Sequence, residues 1–200
     1  MVGPAVGSEL RTKGLTAMVL AIIGILIYVA FRFEWRFAVA SIISLVHDIS
    51  IAIGFIILFK VEVNLDVLAA LLTLLGYSLN DTIIVFDRIR EGIENSNENS
   101  FREVINDAVT RTLSRTVLTS LMTFLVVLTL FLFGGEIIYP FSFTMLIGVV
   151  IGTYSSIFVA APMLIWFGFD VSKYRTKLAD AKKREVEKEK MRSQFEGGVV

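Results

Sequence analysis

Five stretches of predominantly apolar residues dominate the chain: Leu15–Phe33, Phe37–Phe59, Val67–Phe86, Leu113–Phe133 and Phe141–Phe167. A membrane-spanning helix needs about 20 such residues. With 55% hydrophobic and only 19% charged residues, the fold class read from the sequence is an all-α membrane protein, a bundle of five transmembrane helices. The bundle covers 14–169, with spans at about 15–33, 37–59, 67–87, 113–133 and 141–167. Residues 1–13 precede the bundle, and 170–200 are a charged tail. The third and fourth spans carry more polar residues than lipid-facing helices do.

Three joints are short: FEWR, KVEVNLD and GGEIIYP. The fourth, from Asp87 to Thr112, holds Ser100 and Glu103 in capping-box spacing, where each side chain would satisfy a free amide. Phe101, Val104, Ile105, Ala108 and Val109 then recur at helical intervals, which predicts a cytoplasmic amphipathic connecting helix. The mixed-charge tail is rich in good helix formers and carries no ligand signature.

The sequence has no Cys and a single His, His47. Disulfides, thiolate metal sites and Cys nucleophiles are therefore excluded, and a His-based metal cluster is not supported. No glycine-rich phosphate motif occurs, so no cofactor is expected. Lys and Arg bias sets the orientation. Arg32, Arg36, Arg88, Arg90, Arg102, Arg111, Arg115 and the basic tail share one side, against Arg11, Lys13 and Lys60 on the other. The N-terminus is thus expected outside and the C-terminus in the cytoplasm. An odd number of spans that begins outside points to a further span upstream.

An ionisable group in hydrocarbon is costly and marks a functional position by default. Asp48 falls near the middle of the second span and shares a face with Ser41, Ser44 and Ala52. His47 points about 100° away. It reads first as bonded to a neighbouring helix, and second as a proton relay. Asp81 lies in the third span on a face with Tyr77 and Arg88, flanked by Ser78 and Asn80, while Gly76 would admit a close neighbour. Arg111, Arg115, Thr119 and Thr123 form a stripe on the fourth span, with Thr112 and Thr116 alongside. Arg115 reaching inward would meet Asp81. Gly148, Gly152, Ser156 and Ala160 recur every four residues, a helix-packing seam. Pro162 follows and is expected to kink the helix.

Several segments together carry a resemblance: VGPAVGSELR (2–11), VHD (46–48), GYSLNDTIIVFDRIRE (76–91), TLSRTVLTS (112–120), LFGG (132–135) and FSFTMLIGVVIGTYSSIFVA (141–160). In this order they resemble the SecF protein-export membrane proteins of the SecD/SecF family, within the RND superfamily. The resemblance implies an RND-type half that lacks a first span and a large outer domain. It implies a multi-pass protein of the bacterial cytoplasmic (inner) membrane, in contact with lipid and with no nucleic acid. Its partners would be SecD, the SecYEG translocon and secreted polypeptides, and its work would be coupling the proton gradient to their movement or release. The coupling residues implied are Asp81, Arg115 and Asp48, with Tyr77, Ser78, Asn80 and Thr119 in support.

Two other classes compete. A structural helix scaffold for the translocon would use the buried charges as register-fixing pairs, since such pairs are weak evidence of stabilisation. An intramembrane aspartyl protease would share a proton between Asp48 and Asp81. The sequence around them, His47-Asp48 and Asn80-Asp81, does not match that type, so no enzyme is expected.

Overall fold

The computed structural model describes residues 4–95 and 100–196. Within them seven α-helices follow one another: α1 (Pro4–Arg32), α2 (Trp35–Leu58), α3 (Leu65–Asn95), α4 (Phe101–Phe133), α5 (Gly135–Ser155), α6 (Ala161–Trp166) and α7 (Val171–Glu196). A π-helical turn, Ser156–Ala160, joins α5 to α6. Five helical segments are long and apolar enough to cross a membrane: Thr12–Arg32, Trp35–Leu58, Leu65–Asn95, Phe101–Phe133 and Gly135–Trp166.

The last segment runs through Pro162 without a break. Proline has no N–H, and its ring crowds the carbonyl four residues back. The backbone widens into the π turn just before Pro162, which sits at the start of α6. The disturbance expected at Pro162 thus takes the form of a wider turn.

The amphipathic segment expected before the fourth span runs into it as the first turns of α4. The capping box at its start does not form. Ser100 occupies the N-cap position, but its side chain makes no capping bond. Its carbonyl accepts instead from the amides of Glu103 and Val104. The tail forms a helix through Glu196, and its first turn is pinned. Asp170 Oδ1 accepts from the Ser172 hydroxyl at 2.8 Å and the Lys173 amide at 3.1 Å. Arg175 Nε donates to the Ile93 carbonyl at 2.9 Å, close to the end of α3.

α3 is central. Its buried residues, among them Val67, Ala70, Leu71, Leu74, Ser78, Asp81, Val85, Ile89 and Ile93, recur at three- and four-residue steps. α1 and α4 lie outermost and expose large apolar side chains such as Leu20, Phe31, Val126 and Leu132. Two apolar cores result. One surrounds Phe37, Phe86, Ile89 and Leu164; the other surrounds Ile56, Leu71, Leu74 and Val149. On α2 the first core includes Leu45 and Ile49, and the second includes Ala52 and Ile56. On α3 the cores meet between Leu74 and Leu75. Buried polar side chains gather near this boundary.

Joints at one end of the bundle are tied together. Arg32 pairs with Asp87 at 3.2 Å, linking the end of α1 to α3. Arg36 donates to the Gly168 carbonyl at 3.0 Å, linking α2 to the turn after α6.

Candidate functional site

The densest polar contacts inside the bundle centre on Asp48, which is 1% exposed. Its Oδ2 accepts from Ser78 on α3 through a short hydrogen bond, and from Ser155 on α5 at 2.7 Å. Its Oδ1 lies 2.9 Å from Nδ1 of His47. His47 therefore bonds its own chain neighbour rather than another helix, as the sequence had suggested. Three spans meet on one carboxyl group.

Asp81 is 2% exposed and one turn along α3 from Ser78. Its surroundings are poorer. Oδ2 accepts from Ser120 on α4 at 3.4 Å. Ser120 in turn contacts Thr153 Oγ1 on α5 at 2.7 Å, and Thr153 also reaches the Val149 carbonyl at 2.7 Å. Each hydroxyl has one proton. When Thr153 donates to Ser120, Ser120 is free to donate to Asp81. When Thr153 donates to Val149, Ser120 can serve Thr153 or Asp81, but not both. The chain thus has alternative proton arrangements.

The Asp81–Arg115 pair expected from the sequence is not formed. Among the described residues no basic nitrogen lies within 4.0 Å of Asp81. Arg115 is exposed. The reason is helical phase. The stripe that faces inward on α4 is Thr112, Thr116 and Ser120, all buried. Arg111, Arg115 and Thr119 are one position earlier, about 100° round the helix, and all three are exposed. Thr119 bonds back to the carbonyls of Arg115 and Thr116, both at 3.0 Å.

The supporting residues divide. Ser78 is in the Asp48 cluster. Asn80 is exposed, and the Tyr77 hydroxyl is buried without a partner among the described residues. Ser44 and Thr116, one turn from Asp48 and Ser120, also bury hydroxyls without a protein partner. Gly76 is exposed, and a Cβ there would meet nothing within 4 Å, so it admits no neighbour among the described residues. The seam on α5 packs on α3: a Cβ on Gly148 would lie 2.7 Å from Leu74, and one on Gly152 would lie 3.2 Å from Ser78 Cβ. Ser156 and Ala160 are fully buried.

Sequence reasoning missed Ser120, Thr153 and Ser155. Ser120 continues the Thr112–Thr116 stripe, which was the available signal. Ser155 stands next to Ser156 of the seam, and nothing in the sequence separates the two. Asp48 and Asp81 share no hydrogen-bond donor. One is held by His47, Ser78 and Ser155, the other by Ser120.

A bundle of five apolar helices with carboxyl groups and hydroxyls in its interior defines a polytopic α-helical membrane protein. The chain belongs to the SecD/SecF family of protein-export membrane proteins: the model of that family's C-terminal region matches residues 1–170. The protein translocase subunit SecF of Helicobacter pylori strain J99 is 53% identical over 199 residues, all of this chain and 62% of that protein. SecF of Calditerrivibrio nitroreducens is 55% identical over 165 residues, 82% of this chain and 54% of that protein. The chain thus spans roughly half to two thirds of these relatives' length. The crystal structure of SecDF from Thermus thermophilus, a translocon-associated membrane protein, superposes with a TM-score of 0.80 at 43% identity, covering 84% of this chain and 23% of that one. SecDF in its super-membrane-facing form gives a TM-score of 0.78 at 42% identity, covering 90% of this chain and 24% of that one.

Proposed function

We propose that this chain serves as an auxiliary subunit of the Sec protein-export machinery. It works with SecD beside the SecYEG translocon and couples ion flow down the proton gradient to the movement or release of secreted polypeptides. The observation that carries this reading is the setting of Asp81, nearly fully buried with one hydrogen bond at 3.4 Å and no cation in contact among the described residues. A carboxyl group so placed is costly to hold charged. It is a group whose proton comes and goes as its neighbours move.

Arg115 cannot lose its own proton in any practical range. The structure has Arg115 turned outward and Asp81 on Ser120. The complementary state pairs them, and α4 is the element to move because it is among the least buried of the spans. One proton crossing 100 mV supplies about 2.3 kcal/mol, which shifts a two-state ratio by about fiftyfold. Asp48, Ser78, Tyr77 and Thr119 support the path, and Asn80 flanks it from the exposed side.

The test is Asp81→Asn in the full-length protein with its partners in vesicles. Export in the variant is expected to lose its dependence on the imposed proton gradient. An unchanged dependence would overturn the switch and leave the scaffold reading.

In this reading the protein lies in the inner membrane with its C-terminus in the cytoplasm. Support comes from the arginines gathered at one end of the bundle, Arg32, Arg36, Arg90 and Arg175, because basic residues are retained on the cytoplasmic side. The sequence has no Cys, so single cysteines placed at Glu62 and at Ser172 give an unambiguous labelling test. Outside reagent should reach the first and not the second.

A further inference from the structure

We infer that His47 and Asp48 form a protonatable dyad, in which His47 is a positioning and relay residue that gives Asp48 its access to protons. The inference rests on the ion-coupling reading above and deepens it at Asp48 by assigning the group that brings its proton. Three observations carry it. His47 Nδ1 lies 2.9 Å from Asp48 Oδ1. The His47 side chain is 30% exposed and that of Asp48 only 1%. The hydroxyls of Ser78 and Ser155 both bond the other oxygen, Oδ2.

The division of the two oxygens is what matters. A proton delivered to Oδ1 leaves Oδ2 as a carbonyl oxygen that still accepts from both serines. Asp48 can therefore change charge without releasing α3 or α5. A carboxyl group that served only as glue would need no imidazole on its remaining oxygen.

The step balances. Neutral His47 carries its proton on Nδ1 and has a bare Nε2. Nε2 takes up a proton on the side of the ring that is not buried against Asp48. The Nδ1 proton then passes to Oδ1, leaving neutral Asp48 and the other neutral tautomer of His47. The reverse sequence releases it. The groups that face the dyad are Ser78 on α3 and Ser155 on α5. Asp81 is one turn further along α3, and α1 has no titratable residue between Lys13 and Tyr28. The π turn and α6 contribute none either.

His47 is the only histidine in this sequence, so nitrogen-15 labelling of histidine reads its ring directly in the full chain in lipid vesicles. The ring is expected to change its neutral tautomer, from a proton on Nδ1 to a proton on Nε2, as Asp48 takes up its proton, and Asp48→Asn should abolish that change. Infrared spectroscopy follows the protonated carboxyl band of Asp48, identified by its loss in Asp48→Asn. After a pH jump its exchange should slow on the order of 10²-fold in His47→Gln. Asp81→Asn should leave both readouts in place, so failure of the Asp81 switch and failure of this dyad are seen separately. A ring that keeps one tautomer through the pH jump overturns the proposal, and that measurement needs no variant. An Asp48 exchange rate unchanged in His47→Gln overturns it too.

Discussion

The hydroxyl of Ser155 donates to Asp48 at 2.7 Å, a bond between two helices across 107 positions of sequence. With the Ser78 bond it makes Asp48 the point where α2, α3 and α5 are fastened together. Removing the carboxyl group strands its donors in a dry interior. Asp48→Ala is expected to destabilise the bundle by about 1–3 kcal/mol, the cost of unsatisfied buried groups. Ser155→Ala removes one donor only and should cost about 0.6 kcal/mol, the average for a hydrogen bond between membrane helices. Unfolding in mixed micelles checks both, and equal costs would contradict the arrangement.

Glycines in this chain differ in what surrounds them. A Cβ at Gly148 would come within 2.7 Å of Leu74 Cδ1, whereas one at Gly76 meets nothing within 4 Å. Gly148→Ala is expected to cost about 1–3 kcal/mol, as overpacking does. The cost should shrink in a Leu74→Val background, a coupling that a double-mutant cycle measures. Gly76→Ala should stabilise the chain by up to about 1 kcal/mol, because alanine is the better helix former.

Much of this was legible in the sequence, and the limits have a physical origin. The spans are visible because oil selects long apolar runs, and Asp48 and Asp81 stand out because charge in oil is expensive. The phase of α4 was not readable. Arg111, Arg115, Thr119 and Thr123 make one polar stripe, and Thr112, Thr116 and Ser120 make another about 100° away. Only the packing against α3 and α5 decides which turns inward. The partner of His47 was hidden for a related reason: adjacent residues on a helix diverge, yet here a ring nitrogen bends back to its neighbour's carboxyl group.

Phe37 is 1% exposed and sits among three rings, with centroids 5.6 Å from Phe33, 5.1 Å from Phe86 and 5.4 Å from Phe169. It therefore packs the α1–α2 joint, α3 and the turn after α6 into one unit. Phe37→Ala is expected to cost roughly 3–5 kcal/mol, and Phe37→Leu only part of that. Loss of this cluster should also loosen α7, because Phe169 stacks on Phe101 and contacts Tyr174. Hydrogen exchange at the start of α7 measures that second effect.

Asp170 gives the chain a pH dependence outside the membrane. The Lys173 amide, then the Ser172 hydroxyl, hold its carboxyl group below the usual aspartate range. A carboxyl group favoured in its charged form by the fold adds stability that is fully present above its ordinary value of about 3.9. That contribution is lost as pH falls through its lowered folded value. The cap on the first turn of α7 should therefore hold at neutral pH and loosen only in acid. Amide exchange at Lys173 and Tyr174 is expected to accelerate, relative to its intrinsic rate, below about pH 4. Asp170→Asn keeps an acceptor oxygen without the charge, so it should retain part of the protection and lose the acid dependence. Asp170→Ala should lose both. Protection in Asp170→Ala equal to that of the unaltered chain at neutral pH would show that Arg175 and the rings around Phe169 hold α7 without the cap.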